Sequence, residues 1–142
     1  MEKTPTGTRR REFVSVGKIL WIGFGGFLGS IGRYLLSGWV QHLLRGSGFP
    51  YGTLAVNLTG CLLIGFLSQW VGTREFLSPD ARLFVFVGLL GGFTTFSTFG
   101  NETMNLWQAG DSAAAFANIV VHVALGLGAA WLGHVIAYGI WK

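Results

Sequence analysis

Four apolar stretches, separated by short polar punctuation, organise the chain. The first begins near Ile19 and stays apolar to about Leu44, before the polar turn Arg45–Pro50; the pattern predicts a helix over about 19–44. The second covers about 51–71 and is closed by Gly72-Thr73-Arg74-Glu75. The third enters through Ser78-Pro79-Asp80, with proline in the first turn as helices favour, and reads as helix over about 80–107. The fourth follows Gly110-Asp111-Ser112 and covers about 112–139. At ~1.5 Å per residue each crosses the ~30 Å of a bilayer's hydrocarbon. Short connections predict antiparallel neighbours, with both termini on one side.

Composition turns four long helices into four membrane spans. Charged residues make up 11% of the 142 and hydrophobic residues 51%, with a mean hydropathy of +0.53. A soluble domain carries about 25% charged residues, so this chain cannot clothe a water-soluble globule. The 23 glycines show no G-X-Y period, and with only 3 prolines collagen-like and low-complexity readings fail. The net charge of +4 does not point to nucleic acid, because the basic residues form no binding face. Half of them (Lys3, Arg9, Arg10, Arg11, Lys18) precede or open the first span. Residues 1–17 read as a basic cytoplasmic-type tail, retained rather than cleaved, since the following apolar stretch is too long for a signal peptide and lacks an A-x-A-like site. Residues 18–142 then form one four-helix domain. Lys3, Arg9, Arg10, Arg11, Lys18, Arg74, Arg82 and Lys142 fall on one side and Arg45 on the other, which predicts cytoplasmic termini. Trp21, Trp39, Trp70, Trp107, Trp131 and Trp141 mostly lie near span ends, as an interfacial aromatic belt requires. Cys61 stands alone, so no internal disulfide forms. Gly25/Gly29 and Gly126/Ala130 are small-residue pairs suited to close helix packing inside the chain. Four short helices enclose little volume, which makes an oligomer the default.

The third stretch is where chemistry is expected. Gly91-Gly92-Phe93-Thr94-Thr95-Phe96-Ser97-Thr98-Phe99 makes a poor helix centre. A helix broken at mid-membrane frees backbone groups that lipid cannot satisfy, and it survives only where protein, water or an ion supplies partners. Freed carbonyls suit a cation, and the new helix start suits an anion. A glycine-eased kink packed against neighbours is the alternative on these residues alone.

The run GGFTTFSTF at 91–99 with Asn101-Glu102-Thr103 resembles the signature of the Fluc (CrcB) family of small fluoride channels. So do Gly29-x-x-Gly32-Arg33-Tyr34 and Gly52-Thr53-Leu54-x-Val56-Asn57-x-x-Gly60. The resemblance spans all four helices. It implies an all-α membrane protein whose third helix is broken, assembled as an antiparallel, dual-topology dimer with two pores. It implies one structural Na+ at the dimer centre, held by the backbone carbonyls of Gly91 and Thr94 from each subunit. Phe96 and Phe99, on one helical face at i,i+3, look like the family's paired pore phenylalanines. Asn57, on a stripe with Thr53, Cys61 and Gly65, is the candidate pore donor of the second helix, and Cys61 a packing residue. Ser97 and Thr98 either line the pore or bond back to carbonyls near the break. Glu102 stands at a pore mouth or in an interfacial ion pair, and Arg33 raises anion concentration in a vestibule or reaches to the interface.

The fourth helix departs from the family pattern. Asn118 and His122 share a stripe with Gly126 where hydroxyl residues are expected. A neutral imidazole there would donate a hydrogen bond, and a protonated one would add charge. His42 and His134 have no metal-ligand spacing and read as interfacial. No nucleophile–base set, metal cluster or phosphate loop marks an enzyme. A small proton-coupled drug exporter is the rival reading, and it requires a membrane-embedded carboxylate. The expected function is passive, fluoride-selective export across a bacterial or archaeal plasma membrane. The charge asymmetry leaves two arrangements, an antiparallel homodimer and a heterodimer with an oppositely biased partner.

Overall fold

The structure is a computed structural model that describes residues 15–73 and 77–140. Most of the basic tail, residues 74–76, Trp141 and Lys142 lie outside the described residues. The order is α1 (Val16–Leu43), α2 (Tyr51–Thr73), α3 (Pro79–Arg82), a π-helical stretch π1 (Leu83–Leu90), α4 (Gly91–Phe93), α5 (Phe96–Gln108) and α6 (Ser112–Ile140). Four units are long and apolar enough to cross a membrane: Val16–Leu43, Tyr51–Val71, Pro79–Gln108 and Ser112–Ile140. The first helix starts three residues before its predicted bound, because nothing between Val16 and Ile19 stops a helix.

Local chemistry sets the ends. Ser78 caps α3 by accepting from the Ala81 N–H at 3.2 Å, with Pro79 in the first turn. After α5 the Asp111 N–H bonds the Leu106 carbonyl and the Gly110 N–H that of Trp107, both at 3.0 Å. Gly110 has φ +84°, so the pattern is a Schellman closure, which only a residue tolerant of left-handed φ permits cheaply. Asp111 Oδ1 then receives the Ala114 N–H at 2.9 Å and starts α6.

The helices associate chiefly as two pairs, α1 with π1–α4 and α2 with α6. Both seams rest on missing side chains. A Cβ on Gly29 would collide with the Leu89 carbonyl and lie 2.8 Å from the Phe93 nitrogen. A Cβ on Gly133 would collide with the Leu62 carbonyl, and one on Gly65 with that of Ala130. In lipid no hydrophobic force draws helices together, so backbone contact of this closeness supplies the attraction. Gly25 and Gly29 thus pack within the chain, as their spacing predicts. The outer faces carry exposed Phe27, Leu35, Leu127 and Trp131, which suits lipid.

Candidate functional site

Between α4 and α5 the backbone leaves helical geometry at two residues. Thr94 has φ −82° and ψ 155°, and Thr95 has φ −150° and ψ 108°. The glycines expected to make this departure are helical instead. Gly92 serves packing, since a Cβ there would lie 2.6 Å from the Gly26 carbonyl oxygen. The extended pair falls on the β-branched threonines, which favour that region of backbone space.

Helix α2 holds the pair. Asn57 Nδ2 donates to the Thr95 carbonyl at 3.2 Å, and Asn57 Oδ1 accepts the Thr95 N–H at 2.9 Å. One turn on, a Cβ at Gly60 would collide with the Thr94 methyl group, so glycine makes the seat for that side chain. Thr95 caps α5 by accepting the Thr98 N–H at 3.3 Å. Its hydroxyl also meets Thr98 Oγ1 at 2.9 Å and Ser97 Oγ at 3.3 Å. Ser97 and Thr98 therefore share a hydroxyl cluster rather than bonding back to carbonyls. The hydroxyls that do bond back are Thr94, to Leu90, and Thr103, to Phe99.

In a continuous helix the carbonyls of Gly91 and Thr94 would receive the N–H groups of Thr95 and Thr98. Those two donors are turned to Asn57 Oδ1 and Thr95 Oγ1. The Gly91 and Thr94 carbonyls are thus among those that lose their helical donors at the end of α4, as are those of Gly92 and Phe93, and neutral hard oxygens of this kind suit a small monovalent cation. Among the described residues no His, Cys, Asp and Glu gather as three that could hold a metal ion.

Two grooves meet at the pair, and a third adjoins the second of them. The first, about 380 Å³, is walled by Asn57, Cys61, Thr94, Phe96, Phe99 and His122 among others, with no acidic side chain. Phe96 and Phe99 stand with centroids 5.4 Å apart; Phe99 is 8% exposed and Phe96, at the groove's edge, 82%. The second, about 440 Å³, has Ser30, Arg33, Ser37, Gln41, Thr53 and Thr98 in its wall. The third, about 370 Å³, includes Gln41, Thr53, Glu102 and Asn105. Thr95 lines the first two, and Thr53 the last two. The stripe expected along α2 is therefore divided: Asn57 and Cys61 face one groove, Thr53 the others, and Gly65 a helix seam.

Glu102 lies six residues inside the end of α5, not at a helix terminus. Its Oε1 accepts from Thr53 Oγ1 at 2.6 Å, and its Oε2 is buried without a partner. Asn118 is fully buried and donates to Thr103 Oγ1 at 2.9 Å. It lies beneath the grooves rather than in their walls. His122 Nδ1 is 3.0 Å from the Asn118 carbonyl, which can only accept, so the neutral ring spends its one proton there. The expectation of a neutral imidazole donating into the site is thus corrected. Sequence reasoning missed Thr95 as cap and hydroxyl centre and Thr103 as the partner of Asn118. Their extended or back-bonded geometry depends on neighbours outside the motif, although both sit among quoted residues.

The sequence is similar to known proteins over most of its length. Residues 20–134 match the family model described as CrcB-like protein, Camphor Resistance (CrcB). The chain is 47% identical over 117 residues to a protein of Sorangium cellulosum named fluoride-specific ion channel FluC, covering 82% of this chain and 91% of that one. A protein of the same name from Opitutus terrae is 47% identical over 124 residues, covering 85% and 92%. One from Methylocella silvestris is 44% identical over 123 residues, covering 85% and 93%. With its four apolar helices and a match running from the first of them into the last, the chain belongs to the CrcB family.

Proposed function

We propose that the protein is a passive fluoride-selective channel of a bacterial plasma membrane, which lets the inside-negative potential drive F− out of the cell. The observation that carries the reading is the Phe96–Phe99 pair beside a mainly apolar groove that holds Asn57 and Thr95 and no carboxylate. Aromatic ring edges are electropositive and meet an anion without trapping it. The hydroxyls of Thr95, in the walls of the first and second grooves, and of Thr98, in the second, can replace part of its hydration, and several weak sites permit both entry and exit. The second N–H of Asn57 remains for the same purpose. Arg33, in the wall of the adjoining groove, raises local anion concentration. Relatives named as fluoride-specific channels support the choice of ion.

The reading includes an antiparallel homodimer, in which the extended residues of two third spans meet at mid-membrane. A structural Na+ there would be held by Gly91 and Thr94 carbonyls of both copies and would supply a fixed positive charge near the anion path. The diversion of the Thr95 and Thr98 N–H groups supports that assignment.

The test is ion efflux from liposomes containing the purified protein, with no proton gradient. Rapid fluoride efflux with chloride retained is expected. Export that needs a proton gradient would point to the coupled exporter, for which Glu102 supplies the carboxylate inside a span.

A further inference from the structure

On α1 the polar side chains Ser30, Arg33, Ser37 and Gln41 follow at spacings of three, four and four, which sets them on one helical face. All four line the second groove, and Ser37 and Gln41, with Thr53 of α2, also line the third. The third groove reaches the turns, since its wall includes Phe49 and Pro50 before α2 and Ala109 after α5. The second ends on Thr95, which belongs to the first as well. An ion entering from the turns would thus pass the wall that Gln41 shares before it meets Arg33 and the Phe96–Phe99 groove. Gln41 is exposed, yet its amide is fixed. Its Oε1 accepts the Gly52 N–H at 3.1 Å, and its Nε2 donates to the Phe49 carbonyl at 3.3 Å. These partners dictate which end is oxygen and which nitrogen, so a flip would lose both bonds. The backbone beneath is equally tight: a Cβ on Gly52 would lie 2.5 Å from the Ser37 carbonyl oxygen. One N–H of Nε2 is left over, and among the described residues it has no partner.

We propose that Gln41 is an anion ligand of this passage: the N–H that the turn leaves unused meets fluoride between the turns and Arg33. The inference rests on the fluoride-channel reading. A donor held in place before the ion arrives replaces part of its hydration without the cost of ordering a side chain. It carries no charge, so it holds the ion weakly enough to release it. Thr53, in the same shared wall, gives its hydroxyl proton to Glu102. That leaves the Gln41 amide and the Ser37 hydroxyl as the neutral donors common to both grooves. Glu102 lines the third groove as well, and its carboxylate opposes an anion there. The Gln41 donor and the positive charge of Arg33 act against that opposition.

The experiment is fluoride current through planar bilayers as fluoride is raised, with ionic strength held constant by a bulky organic anion. Gln41→Met keeps the length of the side chain and removes its donor. It should raise the half-saturating fluoride about three- to tenfold, the contribution of one hydrogen bond. Gln41→Glu, which sets a repelling charge in the donor's place, should raise it further. A side chain that only ties the turn together would lower the melting temperature and leave half-saturation alone. Unchanged half-saturation in either variant, whatever its melting temperature, overturns the proposal. A second measurement keeps Gln41 in place. With glutamine alone labelled, the side-chain amides of Gln41, Gln69 and Gln108 are followed by NMR in the wild-type protein, and Gln69→Met and Gln108→Met identify the other two. Added fluoride should move one of the two Gln41 Nε2 protons, the one not bonded to Phe49; no such movement overturns the proposal. Fluoride current absent at every concentration, with that movement intact, would instead sink the channel reading and leave Gln41 as an anion ligand.

Discussion

Asn57 spends one amide on both the N–H and the carbonyl of Thr95. Asp at that position keeps an acceptor for the N–H but sets a carboxylate oxygen against the carbonyl, and it adds negative charge to an anion path. Ser keeps one short donor and cannot span both groups. Asn57→Asp should therefore lose more fluoride flux than Asn57→Ser, and each should cost about 1–3 kcal/mol from an unsatisfied buried group. Thermal melts in detergent beside efflux assays check both parts, and wild-type flux in the Asp variant would leave Asn57 a purely structural role. The phenylalanines separate differently. Phe96 is largely exposed, so Phe96→Ala should cut fluoride flux sharply with little change in melting temperature. Phe99 packs on His122 and is buried, so Phe99→Ala should cut flux and also lose about 3–5 kcal/mol of stability. Normal flux in both, at normal reconstitution, removes the aromatic pair from the pathway.

At the level of helices, the glycine seams make a sharp expectation. Gly29→Ala must push α1 away from the Leu89 carbonyl, and the overpacking should cost about 1–3 kcal/mol. Gly23→Ala, with nothing near its Cβ, should melt like wild type. Equal melts for the two would deny the seam. The four spans and their punctuation were legible in sequence because polar breaks such as Gly110-Asp111-Ser112 have local causes. The π-helical stretch was not. Leu83–Leu90 reads LFVFVGLL, with no polar position to reveal a period, and its Gly88 lies against α1. The candidate site was legible as a residue set from the motif, but not as a division into three grooves. That division depends on which face of α2 meets α5 and α6, and a four-residue stripe drifting around a helix does not fix it. The released carbonyls of Gly91 and Thr94 carry their own expectation. A high-resolution experimental structure should show density between two such pairs with contacts shorter than the ~2.8 Å of a water hydrogen bond. Water-like distances there would end the sodium assignment.

For the whole molecule, the proposed homodimer asks one sequence to insert both ways, yet its Lys and Arg residues lie overwhelmingly on one side. One chain nevertheless carries every residue nominated for the pore, and a two-fold axis through identical extended pairs is the economical way to complete four carbonyls. Cysteines placed in the tail should thus label from both faces of a vesicle. Labelling from one face, with flux appearing only when a second protein is co-expressed, would establish a heterodimer. The hold of α2 on Thr95 also bears on biogenesis. Chains enter the membrane from the N-terminus, so Asn57 and Gly60 are in place before Thr94 and Thr95 leave the ribosome. Backbone groups that would each cost several kcal/mol against lipid find their receptor already waiting in the bilayer. Reversing that order, by a circular permutation that delivers the third span first, should leave nascent chains to quality-control proteases even though the finished fold would be the same.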